Sequence, residues 1–225
     1  MHYPAKNELH AVQEIGQFVS RVYTVNPDPV SSSVVARTLA TVQLHCHNFL
    51  SPLELLNGLP LGPSACFIFD FSLPEVNGLQ LMDKLRRKDC FHPVIFSAAR
   101  SDPELIVTAM NRGAFGFLKR PFNSIDIIDM VQRALILDRS LSPYVRIALD
   151  YRTRRHSLSK RELTILGLLE RGKSAREVGG ELNLSVRTVE NHRARIFQKL
   201  NIRQSSQLIE RVTSLNLLRA NGTLD

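Results

Sequence analysis

Five short apolar runs, separated by stretches with helical periodicity, constrain the fold of this chain more than any other feature. The runs cover residues 22–25, 44–49, 65–69, 94–97 and 115–118. Residues 31–40, 52–56, 78–87, 103–111 and 124–137 each place apolar side chains on one helical stripe, with Asp102-Pro103 and Asn123-Ser124 as helix starts and Gly113 as a stop. Strands that alternate with helices predict a parallel sheet, because parallel neighbours need crossover connections. The expected fold class is α/β, a five-stranded parallel doubly wound sheet. In open sheets of this kind functional side chains collect beyond the carboxyl ends of the strands. That rule singles out Asn26, Pro27 and Asp28, then Asp70, Ser97, and Lys119 with Arg120.

The pattern changes after residue 138. Residues 139–157, RSLSPYVRIALDYRTRRHS, combine a Ser-Pro with mixed polarity and no sustained period, and read as a linker. Beyond them, 160–170, 175–182, 186–200 and 205–215 read as four helices, punctuated by Ser159, Gly172, Asn183, Ser185 and Asn201. The expected organisation is an N-terminal extension over 1–20, an α/β domain over 21–138, the linker over 139–157 and an all-α domain over 158–225.

Charge divides along the same line. Residues 1–150 contain 14 basic and 14 acidic side chains, whereas 151–225 contain 15 basic against 7 acidic, so the whole net charge of +8 belongs to the second part. A neutral module joined to a cationic helical one suggests that the second module faces a polyanion, with nucleic acid the leading candidate. No run approaches the roughly 18 apolar residues of a membrane span, and the first 20 residues lack an apolar stretch followed by a small-residue cleavage site. Cys46, Cys66 and Cys90 are an odd count without C-x-x-C spacing, which points away from a disulfide framework or a zinc site and toward a reducing, cytoplasmic setting. His45, Cys46 and His47 do not make a metal site either, since on a strand 45 and 47 face one side and 46 the other.

In LNLSVRTVENHRARIFQKLNI, Ser185 can cap a helix whose inward stripe is Val189, Ile196 and Leu200. The opposite face contains Arg187, Asn191, Ala194, Arg195 and Gln198, with Thr188 and Glu190 at its margins. Arg and Asn can make paired hydrogen bonds to base edges in a major groove, and a small residue such as Ala194 lets the backbone approach. Lys173, Arg176, Arg193 and Lys199 are expected on phosphates, where they would position the module. His192 sits beside the inward stripe, a buried or phosphate-facing imidazole. The shorter SAREVGGEL helix, joined through Asn183-Leu184, completes a helix-turn-helix.

The segment SLSKRELTILGLLERGKSAREVGGELNLSVRTVENHRARIFQKLNIRQSSQLI resembles the LuxR-type helix-turn-helix, at Leu158, Ser159, Glu162, Leu166, Gly172, Glu177, Val178, Leu182, Ser185, Thr188, Val189, His192, Lys199 and Leu200. Gly179-Gly180 departs from the Ala-rich middle of the family's first helix and should weaken it by roughly 1 kcal/mol per glycine. Asn201 stands where the family often has glycine, and tolerates the left-handed conformation that a helix end needs.

The segment DFSLPEVNG, with Asp70 at the end of a strand, together with Ser97 and FLKRPF, resembles the acceptor site of response-regulator receiver domains. Both likenesses together identify the chain as similar to NarL/FixJ-type response regulators. The resemblance implies an acceptor aspartate, an acidic pair holding magnesium, a Ser/Thr, and a lysine before the proline, because a phosphoryl group nearing a carboxylate needs its charge neutralised. Two of those places differ here. Asn26 and Pro27 stand where the acidic pair should be, and Pro27 has no side-chain ligand. Asp28 lies one residue late and precedes Pro29, which restricts its backbone. Arg120 replaces the lysine, keeping the cation without its compact ammonium, while Lys119 points to the other face of the strand. Ser97 and Phe117 match the residues that relay activation in the family, and read here as pocket lining.

The expected function is a cytoplasmic, sequence-specific DNA-binding transcription regulator, not an enzyme, with a vestigial Asp70 and no switching by phosphorylation. Its expected partners are double-stranded DNA and a second copy in a homodimer, with no membrane. A protein partner, a small ligand at the receiver pocket, or protein level would then supply control. No cofactor is expected; magnesium enters only in the alternative, a two-component regulator phosphorylated on Asp70. A third reading, of another class, is a protein-interaction module with only nonspecific DNA binding.

Overall fold

The computed structural model describes residues 20–59, 61, 64–99 and 103–220. The expected N-terminal extension, apart from Ser20, and the helix start at Asp102 lie outside the described residues. The chain divides into two compact units, with the boundary between Ser142 and Pro143.

The first unit contains β1 (Arg21–Val25), α1 (Pro29–Ala40), β2 (His45–Phe49), α2 (Pro52–Asn57), β3 (Ala65–Asp70), α3 (Gly78–Arg87), β4 (Val94–Ala98), α4 (Pro103–Asn111), β5 (Gly116–Lys119) and the start of α5 (Ser124–Arg155). All five strands are parallel, in the order β2-β1-β3-β4-β5. Each expected strand is present with ends moved by a residue at most. The reason for the order is visible in burial. β3 is buried at all six positions, as a strand covered on both faces must be, whereas edge strand β2 buries only Phe49 fully. Alternate residues separate two cores. Tyr23, Val25, Phe67, Phe69 and Phe96 meet Leu55 of α2 and Leu79, Met82 and Leu85 of α3. Val22, Cys66, Ile68, Ile95 and Leu118 meet Val35 and Leu39 of α1 and Ile127, Val131 and Ala134 of α5. Each such side chain contributes roughly 1.5–3 kcal/mol by leaving water.

The stretch expected to be a linker is helical. Helix α5 continues past residue 137 to Arg155 with Pro143 inside it. An interior proline removes one helical hydrogen bond and costs about 3 kcal/mol. Burial offsets that loss, because Ala148 and Tyr151 are both fully buried. No local period announces this, since Tyr151 is buried by helices that lie later in the chain. On the sheet side, Asp138 of α5 accepts hydrogen bonds from the Ala65 amide (3.0 Å) and pairs with His92 Nδ1 (2.7 Å).

The second unit contains the end of α5, α6 (Lys160–Glu170), α7 (Ala175–Leu182), α8 (Val186–Leu200) and α9 (Ser205–Ala220). Its core joins Tyr151, Leu158, Ile165, Leu166, Val178, Val189, Ile196, Phe197, Leu200 and Leu208. Starts and stops follow local chemistry. Ser159 with Glu162, and Ser174 with Glu177, form reciprocal capping boxes, and Ser185 accepts from the Thr188 amide. Asn183 and Asn201 end α7 and α8 in the left-handed region, φ 53° and 51°, as expected of Asn201.

Candidate functional site

The strand order reverses at β1, whose neighbours are β2 and β3, so the crevice opens beyond the carboxyl ends of β1 and β3. Val25 faces Phe69 in register, which brings Asn26 and Asp70 out side by side, and Asp70 faces Ser97. All three are buried, at 4%, 6% and 1% exposure. Arg120, one residue past β5, reaches the acceptor position: its Nη2 lies 2.9 Å from Asp70 Oδ2. The Ser72 amide donates to Asp70 Oδ1 at 3.1 Å. Both oxygens of Asp70 therefore face a donor. Arg120 Nη1 lies 3.5 Å from Ser31 Oγ, which donates to Asp28 Oδ2 at 2.5 Å.

The Asp28 carboxylate is engaged locally. Asp28 is the N-cap of α1, accepting from the Val30 and Ser31 amides, with Pro29 in the first helical position. The Ser31 hydroxyl, then these amides, hold its carboxyl below the usual range. An Asp-Pro pair is a helix-start signal, and it places the start two residues before the expected one. Asn26 Oδ1 is engaged as well, accepting from the Asp28 amide at 2.9 Å. Ser97 Oγ donates to the Phe69 carbonyl at 3.4 Å, and Phe117 packs against the α2–α3 core. Pro27 and Lys119 are exposed.

These residues do not fit the divalent cation that receiver domains hold. The Asp28 carboxylate and the Asn26 oxygen are already engaged, and a cation at Asp70 would stand against the Arg120 guanidinium. Among the described residues no group of three or more His, Cys, Asp or Glu could hold a metal ion. His45 and His47 are exposed and Cys46 is partly buried, as strand alternation requires.

In the second unit the faces of α8 separate as their spacing predicts. Val189, Ile196 and Leu200 are buried, while Arg187, Glu190, Asn191, Ala194, Arg195 and Gln198 are exposed, as is the Ser185 cap. Phe197, missed because it lies one step from that stripe, is also buried. Thr188 and His192 are half-buried at the margins. No ion pair or side-chain hydrogen bond engages Arg176, Arg187, Asn191 or Arg195 among the described residues.

The other expected phosphate contacts have internal partners. Lys199 Nζ lies 2.7 Å from Glu162 Oε2, whose carboxylate is buried. The Lys199 ammonium, then the Ser159 amide, pull the Glu162 carboxyl down to about 2. Lys173 pairs with Glu181. Arg193 contacts Glu190, Ser205 and the Phe197 ring. Sequence patterning could not expose these partners, because each pairing except Arg193 with Glu190 and Phe197 crosses a helix boundary.

Comparisons with known proteins agree with both halves. The family model for the response regulator receiver domain matches residues 22–132, and that for bacterial regulatory proteins of the luxR family matches residues 156–212. The transcriptional regulatory protein TdiR of Thauera aromatica is 30% identical over 190 residues, covering 84% of each chain. The response regulator protein TodT of Pseudomonas putida is 28% identical, covering 94% of this chain and 91% of that one. A solved structure of the response regulator StyR is 26% identical with a TM-score of 0.55, covering 86% of this chain and 98% of that chain. With a receiver fold ahead of a luxR-family helix-turn-helix, and such relatives along most of its length, this chain belongs to the FixJ-type DNA-binding response regulators.

Proposed function

We propose that this response regulator is a sequence-specific transcription regulator whose receiver domain is not switched by phosphorylation of Asp70, and that it works in the cytoplasm as a homodimer on double-stranded DNA. The observation that carries the reading is that no anionic ligand for a cation stands beside Asp70: Asn26 and Pro27 occupy the places of the acidic pair and the Asp28 carboxylate caps α1, while Arg120 lies 2.9 Å from Asp70. A phosphoryl group brings about two negative charges, which a divalent cation must offset. Asn26 and Pro27 offer that cation no anionic ligand, and Asp28 caps α1. Arg120 neutralises one charge only, and does so before any phosphoryl group arrives. Dimerisation follows from the short recognition helix, since two copies double the base pairs read. Arg187, Asn191, Ala194 and Arg195 form the base-reading face, and Arg176 is a phosphate contact.

The test is direct. Full-length protein is incubated with magnesium and a small phosphodonor and weighed by mass spectrometry; no added phosphate mass is expected. Asp70→Asn should leave dimerisation and affinity for a selected duplex nearly unchanged. Stoichiometric, magnesium-dependent phosphorylation of the unmodified protein defeats the reading and restores Asp70 as the switch.

A further inference from the structure

We infer that Arg193 is a positioning residue that presents Glu190 to a base edge, and is not itself a phosphate contact. This deepens, and rests on, the DNA-reading face proposed above. At about 100° per residue, Arg193 lies roughly 200° round the helix from Asn191, on the side away from the exposed front. Three contacts hold it there. Nη1 reaches both oxygens of Glu190, at 3.2 and 3.4 Å. Nη2 donates to Ser205 Oγ at 3.1 Å, at the first residue of α9. Its guanidinium carbon sits 5.2 Å from the centre of the Phe197 ring. Phe197 is itself buried, so the clamp has a rigid base.

An exposed ion pair of this kind adds little stability. Its consequence is orientation. A free glutamate on a helix surface samples several rotamers, whereas one held by a planar guanidinium fixed at two other points is confined to a few. Glu190 stands at the margin of the base-reading face, and a glutamate carboxylate there accepts from the exocyclic amine of cytosine. The carboxylate must also not swing out of place, and the pairing with Arg193 holds it. Arg187 and Arg195 on the front, without internal partners among the described residues, remain for the phosphates and bases.

The experiment selects preferred duplexes from a random-sequence pool with the full-length chain. It then measures affinity against salt on the selected duplex for the wild type, Arg193→Ala, Ser205→Ala, Glu190→Ala and the double variant Glu190→Ala/Arg193→Ala. Losing one phosphate contact flattens the salt slope by about 0.9. The expected result is that Arg193→Ala keeps the wild-type slope and loses discrimination about fivefold or more at the base pair where Glu190→Ala also loses it. Ser205→Ala, which removes no charge, should relax the same base pair to a smaller extent, and this arm stands even if Arg193→Ala folds poorly. The double variant should lose no more discrimination there than Glu190→Ala does. A flattened slope with base preference intact in Arg193→Ala makes Arg193 a phosphate contact and overturns the inference. A selected sequence at which Glu190→Ala changes nothing also overturns it, while leaving the DNA-reading proposal in place. A wild type that selects no sequence at all defeats that proposal and the inference together.

Discussion

Replacing Tyr151 by alanine should unfold much of the DNA-binding unit's margin of stability, although Tyr151 lies outside residues 156–212, the span that matches the luxR family. Tyr151 is the largest fully buried side chain of the chain's described residues, packed in the core of α6, α8 and α9. Its hydroxyl donates to Glu170, and burial, then the Glu170 carboxylate, push the phenol well above its ordinary value, so it stays a donor. Removing a buried aromatic ring costs about 3–5 kcal/mol. The lost hydrogen bond adds about 1 kcal/mol, because Arg155 Nη1 remains 3.2 Å from Glu170 and keeps that carboxylate partnered. Even the low end of that sum, about 4 kcal/mol, is a large share of the roughly 5–15 kcal/mol that holds a typical domain. Amide hydrogen exchange of the full-length chain is the assay, since it reports each unit separately. In Tyr151→Ala the slowest amides of α6, α8 and α9 should lose protection about a thousandfold, while those of β1, β3 and β4 are unaffected; each factor of ten is about 1.4 kcal/mol. Tyr151→Phe should lose only about tenfold. Unchanged protection in the helices of Tyr151→Ala would refute the argument that the end of α5 belongs to the DNA-binding unit.

Four other perturbations follow from the same geometry. Glu162→Gln should destabilise the second unit at neutral pH by about 1–2 kcal/mol, less than the full worth of a carboxyl held at about 2 rather than near 4.5, because solvent screens the partly exposed Lys199. Because its folded-state value is depressed, the stabilisation is complete above about pH 4.5 and is lost as pH falls toward 2, so urea denaturation should show a wide gap between the proteins at pH 7 and a narrow one at pH 3. The adjacent glycines of α7 should respond with opposite signs in thermal unfolding. Gly180→Ala has open space and should stabilise by about 1 kcal/mol, whereas a Cβ on Gly179 would stand 2.7 Å from the Leu184 carbonyl oxygen and should destabilise. In the receiver, Arg120→Ala leaves Asp70 buried without its cation and should cost about 3 kcal/mol in urea denaturation, most of which Asp70→Asn in the same chain recovers. Asn26→Asp with Pro27→Asp and Arg120→Lys should create magnesium affinity by titration calorimetry.

Much of this protein is local in origin. The five strands and the helices came from apolar spacing, a property of adjacent residues, and the front and back of α8 from the same period. The departures at Asn26, Pro27 and Arg120 were also legible, because side-chain chemistry is the same in any fold: Pro27 has no ligand atom, Asn26 no negative charge and Arg120 no compact ammonium. Gly179-Gly180 was legible only by halves: helix propensity treats the two alike, while the turn into α8 presses on Gly179 and leaves Gly180 free.

What the tertiary structure decided is which charges meet. Lys199 reads as a surface cation from its neighbours, yet it holds Glu162, 37 residues earlier, across the helical core. Arg193 reads as one cation among several until Ser205 and Phe197 are brought beside it. Arg120 reads as a replaced lysine, and only the sheet order brings it within 2.9 Å of Asp70. The continuation of α5 through Pro143 has the same origin, since the burial of Tyr151 that sustains it depends on helices folded after it. Periodicity is written along the chain, but Coulomb pairing and burial depend on distance in space, and that distance is set only when the elements pack.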